Sequence, residues 1–212
     1  MSAIIWSEPT IARAIALQTL ARKCVVLVDN CNWTGHECDV LAVTTDLRII
    51  DIEVKISRAD LKADAKKDKW WRRYYDGTYE TVTSYGREHR RPVERKDARE
   101  HPPKVWKHYY AMPADIWKPD LLDCLPSKAS GVILMREQRN STTPVVADVV
   151  RRATPNKDAM RLKPEHVMDI ARLANLRMWE AYHREEAARA EASDYYHGRR
   201  QVLTPFQTPE AA

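Results

Sequence analysis

The chain has 212 residues, with 35 Lys and Arg against 30 Asp and Glu, and its formal net charge at pH 7 is +5. Hydrophobic residues make up 44% of it, which is enough for one sizeable core and excludes a wholly disordered or collagen-like protein. No apolar run reaches the roughly 18 residues of a membrane-spanning helix. Residues 1–9 show no secretory-signal pattern, so we expect a cytoplasmic protein that makes no membrane contact.

The first half of the chain predicts one helix followed by a strand-rich segment. Apolar residues at helical spacing over 9–22, with Pro9 in the first turn, predict the helix. Three short β-branched runs then predict strands, at 24–29, 38–44 and 48–56. Because the last two runs are separated only by residues 45–47, we expect them to form a hairpin that turns about Asp46.

The second half predicts another helix, an irregular insertion and a strand-rich end. Strong helix formers extend from Arg58 to about Tyr75, and Ser57 is placed to cap them. Segment 76–103 is polar and interrupted by Gly and Pro, so we expect either a β-hairpin around 79–85 or a partly ordered insertion. The remaining predicted elements are strands at 107–112, 131–136 and 145–152, and a helix from Pro164 to about Ala192.

These elements predict one mixed α/β domain over residues 1–200. Its order is a helix, three strands, a helix and further strands, with an insertion at about 76–104 and a long C-terminal helix. We expect residues 201–212 to form a loose tail.

The positive charge is concentrated in two blocks of the sequence. Residues 62–73 and residues 87–107 each carry a net charge of +4, and both contain Trp or lie next to Trp and Tyr. Cations interleaved with aromatic rings favour a nucleic-acid partner, although a solvated surface gives the same pattern. The candidate DNA-binding residues are Lys62, Lys66, Lys69, Arg72, Arg73, Arg90, Arg91 and Arg95.

Three ionisable residues share one face of the third predicted strand. Because side chains alternate along a strand, Asp51, Glu53 and Lys55 all point away from the aliphatic residues between them. A hairpin that turns about Asp46 places Asp39 directly across from Glu53, with the two Cβ atoms about 4.5–5.5 Å apart. Two carboxylates at that separation can hold one hard divalent cation beside Lys55. The alternative is a salt-bridged sheet face that binds no ligand.

The spacing of these residues resembles the PD-(D/E)XK nuclease superfamily, in which an Asp is followed after about fourteen residues by Glu-x-Lys. A closer resemblance is to the MmcB-like DNA repair proteins, whose strand RADVxAL is followed by VEIKSSRADFRADxKW. The corresponding segments here are CDVLAV at 38–43 and IEVKISRADLKAD at 52–64. Segments that resemble the closing strands of that family are HYYAMP at 108–113, GVIL at 131–134 and VVRRAT at 149–154.

The resemblance implies a restriction-endonuclease-like αβββαβ core and a metal-dependent nuclease site. Asp39 and Glu53 would be ligands of Mg²⁺ or Mn²⁺, and Lys55 would be the catalytic lysine. A backbone carbonyl of Ile52 or Val54 would complete the metal shell. Many superfamily members add a Glu from the first helix, and the acid nearest that helix here is Glu8.

The cysteines raise a second metal hypothesis. Cys31, His36 and Cys38 could bind zinc, with Cys24 or Cys124 as a fourth ligand. Their spacing matches no common zinc pattern, and buried cysteine is often simply a small hydrophobe, which is the interpretation that we favour on the sequence.

The sequence therefore leads to two functional hypotheses. The first is a bacterial or phage-encoded deoxyribonuclease that hydrolyses phosphodiester bonds in DNA repair, recombination or processing, with a homodimer as one possible assembly. The second is a catalytically inactive protein on the same fold that binds nucleic acid or acts as an adaptor.

Overall fold

The computed structural model describes residues 4–20, 23–138 and 145–202, with side chains placed up to residue 193. The tail predicted at 201–212 lies outside the described residues from 203 onward. The strands of the described part are β1 (Cys24–Cys31), β2 (Cys38–Thr44), β3 (Ile49–Val54), β4 (Trp71–Ser84), β5 (Arg87–Ala98), β6 (Val105–Pro113), β7 (Gly131–Glu137) and β8 (Val145–Arg151). Its α-helices are α1 (Glu8–Ala14), α2 (Arg58–Ala63) and α3 (Pro164–Val202).

Six of these strands form one mixed sheet in the order β1-β2-β3-β6-β7-β8. Strands β1 to β3 are antiparallel neighbours, β6 runs parallel to both β3 and β7, and β8 closes the sheet antiparallel to β7. The predicted α/β fold class, with its order of helix, three strands, helix and strand, is confirmed. In the β2–β3 hairpin Val40 pairs with Ile52, which is the register predicted from a turn about Asp46.

Helices cover both faces of the sheet. Helix α1 packs over one face, where Ile11 contacts a core that includes Ile52 and Ala111. The start of α3 packs over the other face, where Ile170 is 1% exposed beside Leu41. Next to α3 on that second face lies the segment that follows β3, and its Trp70 is also 1% exposed.

The predicted ends of the two longest helices differ from the observed ends. The helix predicted over 9–22 begins at Glu8, because Ser7 caps it, and it widens into a π-helix over Ile15–Leu20. Its predicted last residues, 21 and 22, lie outside the described residues. The C-terminal helix runs to Val202, about ten residues beyond its predicted end. Among the described residues, none of the helices combines the length and the apolar content that crossing a bilayer requires.

The helix predicted from Arg58 to about Tyr75 is wrong beyond its first turns. Ser57 does cap it, accepting a hydrogen bond from the Asp60 amide at 3.1 Å, but α2 ends at Ala63. Two short 3₁₀ turns follow, at Asp64–Lys66 and Asp68–Trp70. The helical propensity of this basic stretch is overridden by the buried ion pairs that its lysines make.

The insertion is a β-hairpin, as one of the two sequence alternatives stated, but it is far longer than 79–85. We call the β4–β5 hairpin, residues 71–98, the arm. Tyr85 and Gly86 both have positive φ at its tip, as a two-residue hairpin turn requires. Nearly all of its residues are exposed on both sides of the ribbon, so the arm contributes little to the core.

Candidate active site

The two faces of β3 differ completely in chemistry. Ile52 and Val54 belong to the core under α1, whereas Asp51, Glu53 and Lys55 point to the opposite side and are all buried. The alternation predicted along this strand is therefore observed. Two carboxylates with no exposed surface are costly to bury, so the polar face must supply partners for them.

Glu53 is surrounded by three ammonium groups. Its Oε1 accepts a hydrogen bond from Lys69 Nζ at 2.5 Å, and its Oε2 accepts from Lys55 Nζ at 3.0 Å and from Lys67 Nζ at 2.9 Å. Burial alone would raise the pKa of Glu53, but the charges of Lys69 and Lys55 outweigh it and hold that pKa below its usual range. Glu53 therefore remains a carboxylate.

The negative charge of Asp64 balances the positive charge of two of the same lysines, Lys55 and Lys67. Its Oδ1 lies 3.1 Å from both Lys55 Nζ and Lys67 Nζ, and its Oδ2 accepts hydrogen bonds from Trp70 Nε1 at 2.9 Å and Tyr110 Oη at 2.5 Å. Asp64 has no exposed surface, and despite that burial the neighbouring lysines lower its pKa. Three acids and three lysines thus form one nearly closed network around Glu53, the third acid being Asp51 at 3.9 Å from Lys69.

Lys55 is fixed between Glu53 and Asp64, and its side chain is only 3% exposed. Burial would lower its pKa, but the two carboxylates raise it above its usual range. In this state Lys55 is an ammonium ion. It can stabilise negative charge on a phosphate, and it cannot take a proton from water.

Lys69 lies inside the structure, not on a DNA-facing surface. Its side chain is 1% exposed and contacts Glu53, so the candidate role in DNA binding does not agree with its position. The break in helix α2 explains this, because Lys67 has extended backbone angles and the chain turns back over β3. Lys62 and Lys66, by contrast, are exposed as expected.

Asp39 occupies a different environment from Glu53 although the β2–β3 register places them side by side. Its Oδ2 accepts a hydrogen bond from the Val54 amide at 2.6 Å. Burial, together with the negative charges of Glu53 and Glu8, raises the pKa of Asp39 to about 7. The positive charge of Lys55 lowers the pKa of Asp39, but this effect is smaller than the effects that raise it.

This deficit of positive charge makes Asp39 the part of the site that fits a metal ion. Asp39 and Glu53 offer carboxylate oxygens, which are the donors that Mg²⁺ and Mn²⁺ prefer. Within the described residues, the structure does not bring Glu8 into a common ligand group with them, although its charge affects Asp39. A divalent cation would relieve the repulsion that raises the Asp39 pKa. Glu53 could join it only if an ammonium group gave way, and Lys67, with a side chain 48% exposed, is the one free to move. The carbonyl ligand from Ile52 or Val54 stays a prediction.

The predicted zinc ligands are only partly brought together. The ligand atoms of His36 and Cys38 lie within 4.8 Å of one another and of an Asp51 carboxylate oxygen. Cys31 pairs with Cys38 across β1 and β2 but does not belong to that group. The remaining candidates lie elsewhere, at the start of β1 (Cys24) and near Leu125 (Cys124).

Most of the candidate DNA-binding residues lie on or beside the arm. Arg73 pairs with Asp68 and Glu94, and Arg95 pairs with Asp76. Two cations lie over aromatic rings, Arg90 over Tyr79 at 5.0 Å and Lys96 over Trp71 at 4.8 Å. Within the described residues, no acid lies at ion-pair distance from Arg72, Arg87, Arg90, Arg91 or Lys96. The arm therefore presents guanidinium groups and rings together to solvent.

A surface cavity connects the arm to the buried network. Its volume is about 470 Å³, and its wall includes the cations Lys67, Lys69 and Arg99 as well as the acids Glu37 and Asp68. Trp71, at the base of the arm, also borders it. Glu53 does not itself line the cavity, but Lys67 and Lys69, which do, are its hydrogen-bond partners.

Sequence reasoning missed Asp64, Lys67 and His108 as parts of the site. The sequence gives no indication that Asp64 and Lys67 belong to the site, because a continuous helix over 58–75 would place both side chains in solvent. His108 lies on β6, which pairs in parallel with β3, and Asp51 is its register partner. That pairing joins residues far apart in the chain, and local periodicity does not show it.

Comparison with known proteins gives a similar solved structure but no family. No protein-family model matches the chain, and the search of curated proteins found no match. Among solved structures, a protein of unknown function from Silicibacter pomeroyi matches with a TM-score of 0.48 and 20% sequence identity. The match covers 88% of this chain and 94% of that chain. It adds nothing about the chemistry of the site.

Replacing Lys69 by methionine should destabilise the protein strongly. Lys69→Met keeps the aliphatic volume but removes the 2.5 Å contact to Glu53, and breaking a buried ion pair costs about 3 kcal/mol or more. Urea unfolding of wild type and variant measures this loss in the free energy of unfolding. Lys66→Met, at an exposed position three residues away, is the matched control and should change that free energy by less than about 0.5 kcal/mol. Equal effects of the two substitutions would contradict the network.

Replacing Asp39 by asparagine should change how stability depends on pH. The pKa of Asp39 is about 7 in the folded protein against an ordinary value of 3.8, so the folded state binds the proton more tightly than the unfolded chain does. This group therefore makes the wild type lose stability as pH rises from about 4 to about 7. Thermal melts in EDTA should show Asp39→Asn gaining stability relative to wild type as pH rises from about 4 to about 7. A difference that is independent of pH would refute the raised pKa, and Asp29→Asn is the control for removing an acid from the sheet.

Proposed function

We propose that this protein is a metal-dependent deoxyribonuclease that hydrolyses phosphodiester bonds. The observation that carries the proposal is Asp39, a carboxylate short of positive charge beside Glu53 and close to an ammonium group on Lys55. The resemblance of the surrounding motifs to the PD-(D/E)XK superfamily, and to the MmcB-like DNA repair proteins in particular, supports the same assignment.

Asp39 and Glu53 would hold the ion, with Glu8 within electrostatic reach at the start of α1. A bound Mg²⁺ or Mn²⁺ would polarise the phosphate and lower the pKa of an attacking water. Lys55 would contribute fixed positive charge, because Glu53 and Asp64 keep it protonated and hold its position. This role favours stabilisation of the negatively charged transition state over general-base catalysis by the lysine.

The arm is the candidate DNA-binding surface. Its exposed arginines can pair with phosphates, and Tyr75 and Tyr79, which are 65% and 56% exposed, can contact sugars or bases. A two-stranded ribbon also has the right width for the major groove of duplex DNA. The cavity next to Trp71 would lead from the arm toward Lys67 and the site, and its wall holds three cations and two acids.

The second candidate function is a DNA-binding or adaptor protein without catalytic activity. One specific observation favours it: Glu53 already has three ammonium partners, so its charge is compensated without any metal ion. Under this alternative the lysines would do permanently what a cation does in an active nuclease, and the arm would still bind nucleic acid.

Cleavage assays distinguish the two functions. Plasmid, linear, single-stranded and branched DNA are incubated with the protein in Mg²⁺ or Mn²⁺, and the proposal expects cleavage that Asp39→Ala and Lys55→Ala reduce at least about 100-fold. The reduction follows because each substitution removes a charge placed at the reacting phosphate. Wild-type protein that cleaves none of these substrates faster than Asp39→Ala does would overturn the nuclease assignment.

Binding measurements on the same samples identify the alternative. Fluorescence anisotropy in Ca²⁺ should show that neutralising Arg90, Arg91 and Arg95 weakens binding and lowers its log–log salt dependence by about 2 to 3. The matched control neutralises three exposed cations of the loop before α3, which are Lys157, Arg161 and Lys163. Tight, salt-sensitive binding without cleavage favours the inactive protein, and equal effects of the two triple variants would refute the arm as the binding surface.

A further inference from the structure

A second group of potential ligands lies on the polar face of the sheet, beside Glu53 but separate from Asp39. His36 and Cys38 come from the end of the β1–β2 connection and the first residue of β2, and Asp51 comes from β3. His36 Nε2 is 3.1 Å from Asp51 Oδ2, and the Cys38 sulfur lies within 4.8 Å of both ligand atoms of the group. Imidazole, thiolate and carboxylate together form a ligand set typical of zinc.

His108 supplies an independent observation that points to a ligand. Its Nε2 is buried, lies 3.9 Å from Asp51 Oδ2, and has no hydrogen-bond partner among the described residues. Asp51 Oδ1 is likewise buried and unpartnered within the described part of the chain. Two unpartnered polar atoms on neighbouring buried side chains are costly, and a cation bound between the ring and the carboxylate would give both a partner.

The hydrogen bonds of the two histidines suit metal binding. His108 Nδ1 lies 3.0 Å from Ser130 Oγ, and His36 Nδ1 lies 3.3 Å from Thr34 Oγ1. Thr34 Oγ1 donates its own proton to the His36 carbonyl at 2.9 Å, so it can accept one from the ring. A metal-bound histidine usually has its second nitrogen engaged in this way, which leaves Nε2 free to coordinate.

We propose that His36, Cys38, Asp51 and His108 form a structural zinc site that joins the β1–β2 connection to strands β3 and β6. Zinc–ligand bonds of about 2.0 to 2.3 Å require ligand atoms about 3.3 to 3.8 Å apart in a tetrahedron. Asp51 Oδ2 lies 3.1 Å from His36 Nε2 and 3.9 Å from His108 Nε2, and the Cys38 sulfur lies within 4.8 Å of the His36 and Asp51 atoms. His108 lies outside that group of three, so both its ring and the sulfur must move inward to complete the tetrahedron. The site would use all four positions and leave none for a substrate.

Lys69 is the one cation next to this group. Its Nζ lies 3.9 Å from Asp51 Oδ2 but 2.5 Å from Glu53 Oε1, so Glu53 is its principal partner. The thiolate and the carboxylate together carry a charge of −2, so the complex with Zn²⁺ is neutral, which limits its repulsion of Lys69. The proposed ion would anchor the strand that carries Glu53 and Lys55 without taking part in catalysis.

Metal analysis and cobalt spectroscopy test the proposal. Protein purified without chelators is assayed for zinc, then stripped and titrated with Co²⁺ in the presence of excess Mg²⁺. We expect one zinc per chain and a thiolate-to-cobalt charge-transfer band in the near ultraviolet. Cys38→Ser should abolish the band, and His108→Gln should weaken affinity at least about 100-fold, since even outer hydrogen-bond partners contribute 10- to 100-fold.

Two control variants separate this site from its surroundings. Cys31→Ser removes the thiol opposite Cys38 and should keep the band, and Asp39→Asn should keep it too, because the proposed nuclease metal lies elsewhere. The zinc site is refuted if wild type binds neither Zn²⁺ nor Co²⁺ in stoichiometric amount, or if the band survives in folded Cys38→Ser. Loss of nuclease activity alone would leave the metal stoichiometry unchanged, so the two proposals fail independently. Circular dichroism of each variant verifies that it is folded.

Discussion

The burial of Glu53 and Asp64 without exposed surface is the constraint on which the rest of the structure depends. Two buried carboxylates on one polar face require cations, and three lysines supply them. Two of those lysines reach the site only because the chain leaves helix α2 at Ala63 and folds back across β3. The same reversal delivers Trp71 to the surface, where the arm begins. One electrostatic requirement therefore determines the short helix, the 3₁₀ turns and the base of the insertion.

The site has two halves with opposite charge balance. Around Glu53 positive charge is sufficient without any ion, and the pKa values of the acids there are held low. Around Asp39 it is insufficient, and the pKa of that carboxyl rises to about 7. A nuclease needs a cation where Asp39 lies and a fixed ammonium where Lys55 lies, which matches this division. An inactive relative needs only the half around Glu53, which is why the chemistry at Asp39 decides between the two proposed functions.

Sequence reasoning predicted those features that depend on local periodicity. Alternation along β3 placed Glu53 and Lys55 on one face, and the short turn about Asp46 set the register of Asp39 against Glu53. The sequence-based predictions were wrong or incomplete where contacts between distant residues override the local preference for a secondary structure. The residues from 64 to 70 have strong helical propensity, but ion pairs to Glu53 hold them in another conformation. His108 reaches Asp51 through a parallel strand pairing between β3 and β6, and no pattern within either strand indicates that contact.

A crystal structure of the protein grown in Mn²⁺, with anomalous scattering used to locate the ion, tests the central claim most directly. The account predicts one manganese ion bound to Asp39 and Glu53, with Lys67 displaced from Glu53 and Lys55 still held between Glu53 and Asp64. No manganese at Asp39, with all three lysines remaining on Glu53, would contradict the claim that this acidic pair is a metal site.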